Sequence, residues 1–142
     1  MPQVTFWQLA DEAHAAENRT CHLVADAFSN KQKCIVYCAD QASAEMVDEL
    51  LWQLPAERFV PHNLAGEGPS VGTPVEICWQ ENQLSRRSLI VNLSGKMLAS
   101  PHAYQIIFDF VPAADEAKQA ARVRYKQYQQ AGCQLQFQSA DT

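Results

Sequence analysis

The chain is expected to fold as one α/β sandwich of three layers, residues 1–142, around a largely parallel or mixed sheet. Three observations predict this class. The run Lys33–Cys38 (KCIVYC) is continuously apolar after its lysine, as in a strand covered on both faces. Strand-like and helix-like patterns alternate from the start, the order that builds parallel sheets. With 142 residues, 47% of them hydrophobic, the chain is long enough to bury roughly two thirds of its unfolded surface.

Val4–Leu9 reads as the first strand. Residues 13–28 then place Ala16, Thr20, Leu23, Val24, Ala27 and Phe28 at helical spacing. After the KCIVYC strand, Asp40 is a natural N-cap for a helix running to about Gln53. Met46, Val47, Leu50, Leu51 and Leu54 share one arc of it, which must face the sheet, and Trp52 points elsewhere. A loop rich in glycine and proline follows, then strand candidates Val75–Trp79, Leu89–Leu93 and Gln105–Val111. Only about nine residues separate Trp79 from Leu89, too few for a helical crossover, so these two strands are either antiparallel or not neighbours. A long helix spans about Ala113–Ala131, with Asp115 and Glu116 in its first turn and Gly132 past its end. Cys133–Phe137 reads as an edge strand.

Composition narrows the function classes. The net charge is −5, whereas a binder of duplex DNA carries a basic excess. No run reaches the eighteen or so apolar residues of a membrane helix, and the first residues lack the pattern of an export signal. The five cysteines include no C-x-x-C pair and read as reduced core thiols of a cytoplasmic protein, with no metal site.

Catalytic signatures are missing. The glycine cluster Gly66–Gly72 is neither G-x-G-x-x-G nor a P-loop, and Glu67 within it would repel an anion. No G-x-S-x-G or H-E-x-x-H occurs. His14, His22 and His102 form no ligand spacing and read as structural, and His62 has no chemistry to perform. No cofactor is expected.

Two stretches look made for other proteins. The loop after the second helix presents Phe59, Val60 and Pro61 in sequence beside the misdirected Trp52, the ingredients of an interface hot spot. The alternative is that Trp52 packs under this loop and that Phe59 and Val60 plug the bottom of the sandwich. In the final helix Ala117, Ala120, Ala121, Tyr128 and Ala131 point inward, with Arg124 among them and so paired or snorkelling. Lys118, Arg122, Tyr125, Lys126 and Gln129 share the adjacent face. Within KQAARVRYK no acid at i±4 pairs with these cations, although Asp115 and Glu116 lie a turn earlier. Such a face suits an acidic peptide, especially one ending in a free carboxylate beside an apolar side chain.

LLWQLPAERFVPHNLAGEGP and FDFVPAADEAKQAARVRYKQYQQAG resemble the chi subunit of bacterial DNA polymerase III, and the resemblance runs from Thr5-Phe6 to about Gln136. It implies a Rossmann-like fold without a working nucleotide site. It also implies a non-catalytic adaptor in DNA replication that binds the psi subunit of the clamp loader and the acidic C-terminal tail of single-stranded DNA-binding protein. Carried over by residue, the psi-facing set is Trp52, Phe59, Val60, Pro61 and His62. The tail-binding set is Val111, Lys118, Arg122, Tyr125 and Lys126. Val123 departs from the family, which often has glutamate there. The alternatives are a small nucleotide-binding enzyme using Gly66–Gly72 and a direct binder of single-stranded DNA through the final helix.

Overall fold

The computed structural model describes residues 1–69 and 72–139. In chain order the elements are β1 (Gln3–Gln8), α1 (Ala15–Ser29), β2 (Cys34–Cys38), α2 (Gln41–Leu51), β3 (His62–Leu64) and β4 (Val75–Cys78). They continue with β5 (Leu89–Leu93), β6 (Ile106–Val111), α3 (Asp115–Gln130) and β7 (Gln134–Ser139). The strands form one sheet in the order β3-β4-β2-β5-β6-β1-β7, and every pairing is parallel. The sheet is therefore not mixed. β4 and β5 flank β2 on opposite sides, so the short link between them joins strands that are not neighbours.

Side chains of β2 alternate between two cores, which explains its unbroken apolar run. Cys34, Val36 and Cys38 pack with Val24 of α1 and Val47 and Leu51 of α2. Ile35 and Tyr37 face the opposite way, into the cluster holding Phe6, Ile107, Ala121 and Tyr128. Hence α1 and α2 cover one face, and α3 covers the β6-β1-β7 half of the other. Asp40 caps α2 by accepting a 2.8 Å hydrogen bond from the Ser43 amide. Asp115 and Glu116 lie in the first turn of α3, where the helix dipole favours acids. Its last turn closes through Gly132, at φ 87°, and the chain enters β7 directly.

Some details differ from the sequence reading. β3 is a strand inside the segment read as loop; it is three residues long, too short to show a period. The inward face of α3 is Ala121, Arg124 and Tyr128, whereas Ala120 is exposed. The buried Arg124 sets the rotation of the helix, as its partners below make plain.

Candidate functional site

Arg124 reaches under α3 to Asp109 of β6, with Nε 3.0 Å from Oδ2 and Nη2 3.0 Å from Oδ1. Nη1 donates to the Gly95 carbonyl at 3.0 Å, and Nη2 also to that of Phe110 at 3.3 Å. Burial pushes the Asp109 carboxyl above its usual range, while the guanidinium and the Phe110 amide pull it back. This fork holds the middle of α3 against the end of β6. A pocket lies beside it, where Val111 of β6 faces Lys118, Ala121, Arg122 and Tyr125 of α3.

The pocket has a volume of about 250 Å³. Phe6 and Gln8 of β1 and Phe137 of β7 complete its lining. Phe6 is fully buried and holds the Tyr125 ring at 5.4 Å between centroids. A second depression of about 290 Å³ shares Arg122 and Tyr125 and adds Gln119, Val123 and Lys126. Four of the five expected tail-binding residues thus line the first pocket, and Lys126 joins through the second. Among the described residues, Lys118, Arg122 and Lys126 form no ion pair. Apolar walls beside three free cations can hold an apolar side chain next to an anion. Sequence reasoning missed Phe6, Gln8 and Phe137, because a helical wheel cannot report which strands lie beneath it.

The second surface is built around an aromatic trio at the end of α2. Trp52 is 64% exposed and Phe59 54%, with ring centroids 5.2 Å apart. His62 completes the group, 5.1 Å from the Trp52 ring and 6.1 Å from that of Phe59. Its side chain is buried. Nδ1 lies 2.7 Å from the Val60 carbonyl oxygen, and Nε2 lies 3.2 Å from the Asp48 carbonyl oxygen and 3.3 Å from Oδ1 of Asp48. The imidazole therefore clasps the loop to α2 from beneath, and Trp52 and Phe59 face solvent. Val60, expected on the presented face, is fully buried in the α1/α2 core. Consecutive residues of the chain entering β3 point opposite ways, so Phe59 outward means Val60 inward. Pro61 is half-buried.

The glycine loop lacks the setting of a helix-based phosphate cradle. It joins β3 to β4 and so ends in a strand, where a cradle requires a helix N-terminus aimed at the anion. Ser70 and Val71 of that loop lie outside the described residues. At the β1–α1 turn, where sheets of this kind hold nucleotides, the chain reads Leu9-Ala10-Asp11-Glu12-Ala13-His14, acidic and without glycine. All five cysteines are buried and free, and no cluster able to hold a metal ion occurs among the described residues. No helix among the described residues is long and apolar enough to cross a membrane.

Residues 1–136 match the family described as DNA polymerase III chi subunit, HolC. The chain belongs to that family. It is 41% identical over 141 residues to DNA polymerase III subunit chi of Escherichia coli strain K12, covering 95% of this chain and 96% of the relative. The subunit chi of Haemophilus influenzae strain Rd is 40% identical over 120 residues, covering 84% of this chain and 83% of the relative. Among solved structures, the chain is similar to that reported as the crystal structure of T4 UvsW, with a TM-score of 0.63 at 8% identity. That match covers 97% of this chain and 41% of the other, and at such low identity it speaks to the fold alone. The chi family match thus covers nearly the whole chain.

Proposed function

We propose that this chi-family chain is a non-catalytic adaptor of DNA polymerase III in the bacterial cytoplasm. It ties the clamp loader, through psi, to the acidic C-terminal tail of single-stranded DNA-binding protein. One observation carries the reading: Lys118, Arg122 and Lys126 stand without acidic partners among the described residues, around a pocket with apolar walls. The tail's terminal carboxylate pairs with Arg122 and Lys118. Its last apolar side chain lies against Val111 and the ring of Tyr125, and upstream aspartates meet Lys126. Each of these three charge-assisted contacts contributes about 1.5–3 kcal/mol, a small apolar burial adds a similar amount, and the entropy lost on association offsets part of the sum. The result is a micromolar-class link weakened by salt, suited to being made and broken as a replication fork advances. Psi covers Trp52, Phe59 and Pro61, supported from within by Val60 and His62. Because the two sites lie on different elements, both partners bind at once.

Paired titrations test this reading. A synthetic acidic peptide with a free carboxyl end should bind with salt-sensitive micromolar affinity, and a single-stranded oligonucleotide should bind far more weakly. Tighter binding of the oligonucleotide would instead favour a direct contact between the final helix and DNA, despite the net charge of −5. A multi-degree, concentration-dependent thermal shift with ATP or NAD would revive a nucleotide-binding enzyme.

A further inference from the structure

The strand beside the tail pocket has an open edge. Among the described residues β7 pairs only with β1 and ends the sheet. Its register runs unbroken from Gln3↔Gln134 to Gln8↔Ser139, without a bulge. Natural edge strands are commonly guarded by a charge, a proline, a bulge or shortness. β7 is six residues long and reads Gln-Leu-Gln-Phe-Gln-Ser, with none of these guards. The opposite edge, β3, is only three residues long.

The phase of the pairing tells which backbone groups face outward. The Gln134 amide donates to the Pro2 carbonyl at 2.9 Å, so Gln134 faces β1. In a parallel ladder each strand residue turns its N–H and C=O to the same side, and successive residues alternate. Gln136 and Gln138 therefore face β1 as well, and Leu135 and Phe137 present their N–H and C=O groups to the open edge. Phe137 is also 56% exposed and forms a wall of the pocket that holds Lys118 and Arg122. A chain leaving that pocket past Phe137 meets this edge at once.

The geometry points to β-strand addition: the acidic peptide whose carboxyl end sits by Arg122 continues along β7 as an eighth strand, parallel to the rest. This rests on the tail-binding reading given above and extends it. With its end near Ser139 and its upstream part toward Gln134, the peptide runs in the same sense as β7. Its backbone pairs with Leu135 and Phe137, which asks nothing of its sequence. Alternate side chains fall on the α3 side of the sheet, where acids meet Arg122 and Lys126. The uncharged edge opposes no acidic chain, and the cations alongside favour one. β7 spans about 20 Å at the usual strand rise, so about six residues of the peptide are engaged.

The test uses the full chain and a ten-residue acidic peptide with an apolar last residue and a free carboxylate. Amide exchange of Leu135 and Phe137, followed by NMR, should slow at least tenfold at saturation. N-methylation of every second peptide amide should weaken binding at least tenfold in one phase and leave it nearly unchanged in the other. Peptide binding that depends on Arg122, with no protection of these amides and equal affinity for both methylated sets, would overturn the added strand and leave the pocket standing. No peptide binding at all would overturn both. Protection that appears without peptide and rises with protein concentration would assign the edge to a second copy of the chain and overturn the proposal.

Discussion

Arg124 and Asp109 meet through two contacts of 3.0 Å beneath α3, one residue along from Tyr125 and two from Arg122. The same helix thus spends one arginine inside, to fix its position, and offers another outside. A buried ion pair is weak evidence for stability, since removing two charges from water costs much of what their attraction returns. What this pair supplies here is placement, because Val111 lies two residues beyond Asp109 on β6.

Breaking the pair from one side should be costly. Arg124→Met leaves the Asp109 carboxylate buried and unpaired, and a loss of about 3–5 kcal/mol is expected. The double change Asp109→Leu with Arg124→Met should recover most of it. Urea denaturation of the three proteins checks this, and a single variant as stable as the double one would deny the pair its electrostatic character.

The outer arginine has the opposite profile. Arg122→Ala should leave the unfolding midpoint in urea nearly unchanged, because the side chain is exposed and has no ion pair among the described residues. Affinity for the acidic peptide should fall at least tenfold, and psi binding should stay as it was. Arg122→Lys should restore only part of the affinity, since a point charge cannot grip a carboxylate with two parallel bonds. Calorimetry with each partner separates the outcomes; equal losses for peptide and psi would place the pocket elsewhere.

Much of this architecture is legible in the sequence. KCIVYC announced a doubly covered strand because its apolar run leaves no face for water, and Asp40 announced a helix start because its chemistry is local. The cationic face of α3 was visible because helical spacing is regular. Other features depend on distant residues and leave no local mark. Phe6 and Phe137 enter the pocket only because β1 and β7 are neighbours, a pairing across most of the chain length. β3 was hidden by its length, and the burial of Val60 by the turn of chain beside it. The pattern of small residues turns Ala120 inward because it does not contain the pull of Asp109 on Arg124, which leaves Ala120 exposed.

At the aromatic trio, Phe59→Ala and Trp52→Ala should each weaken psi binding at least tenfold, the behaviour of exposed aromatic anchors. Neither should change affinity for the acidic peptide. His62→Ala should also weaken psi binding, but by loosening the loop, because its side chain is buried and clasps Val60 to Asp48. The distinction is measurable: the His62 variant should show faster amide exchange over residues 58–62, and the Phe59 variant should not. Unchanged psi affinity in both aromatic variants would remove this surface from consideration.

The buried thiols give the fold an alkaline limit. Burial raises Cys21, Cys34, Cys38 and Cys78 from an ordinary 9.0 to about 12 in the folded chain. A group whose folded value exceeds its unfolded value stabilises the fold fully below the unfolded value. That stability is lost as pH rises through the window from about 9 to about 12. Each such thiol then removes about 1.4 kcal/mol per pH unit, and four together reach the order of a domain's whole stability between one and two units into the window. The urea midpoint should therefore be level from pH 7 to 8.5 and drop steeply above 9.5, under reducing conditions. Cys38→Ala, which removes one buried thiol, should make the drop shallower even if its midpoint at pH 7 is lower. Parallel curves for the two proteins above pH 9.5 would show that the thiols do not set the limit.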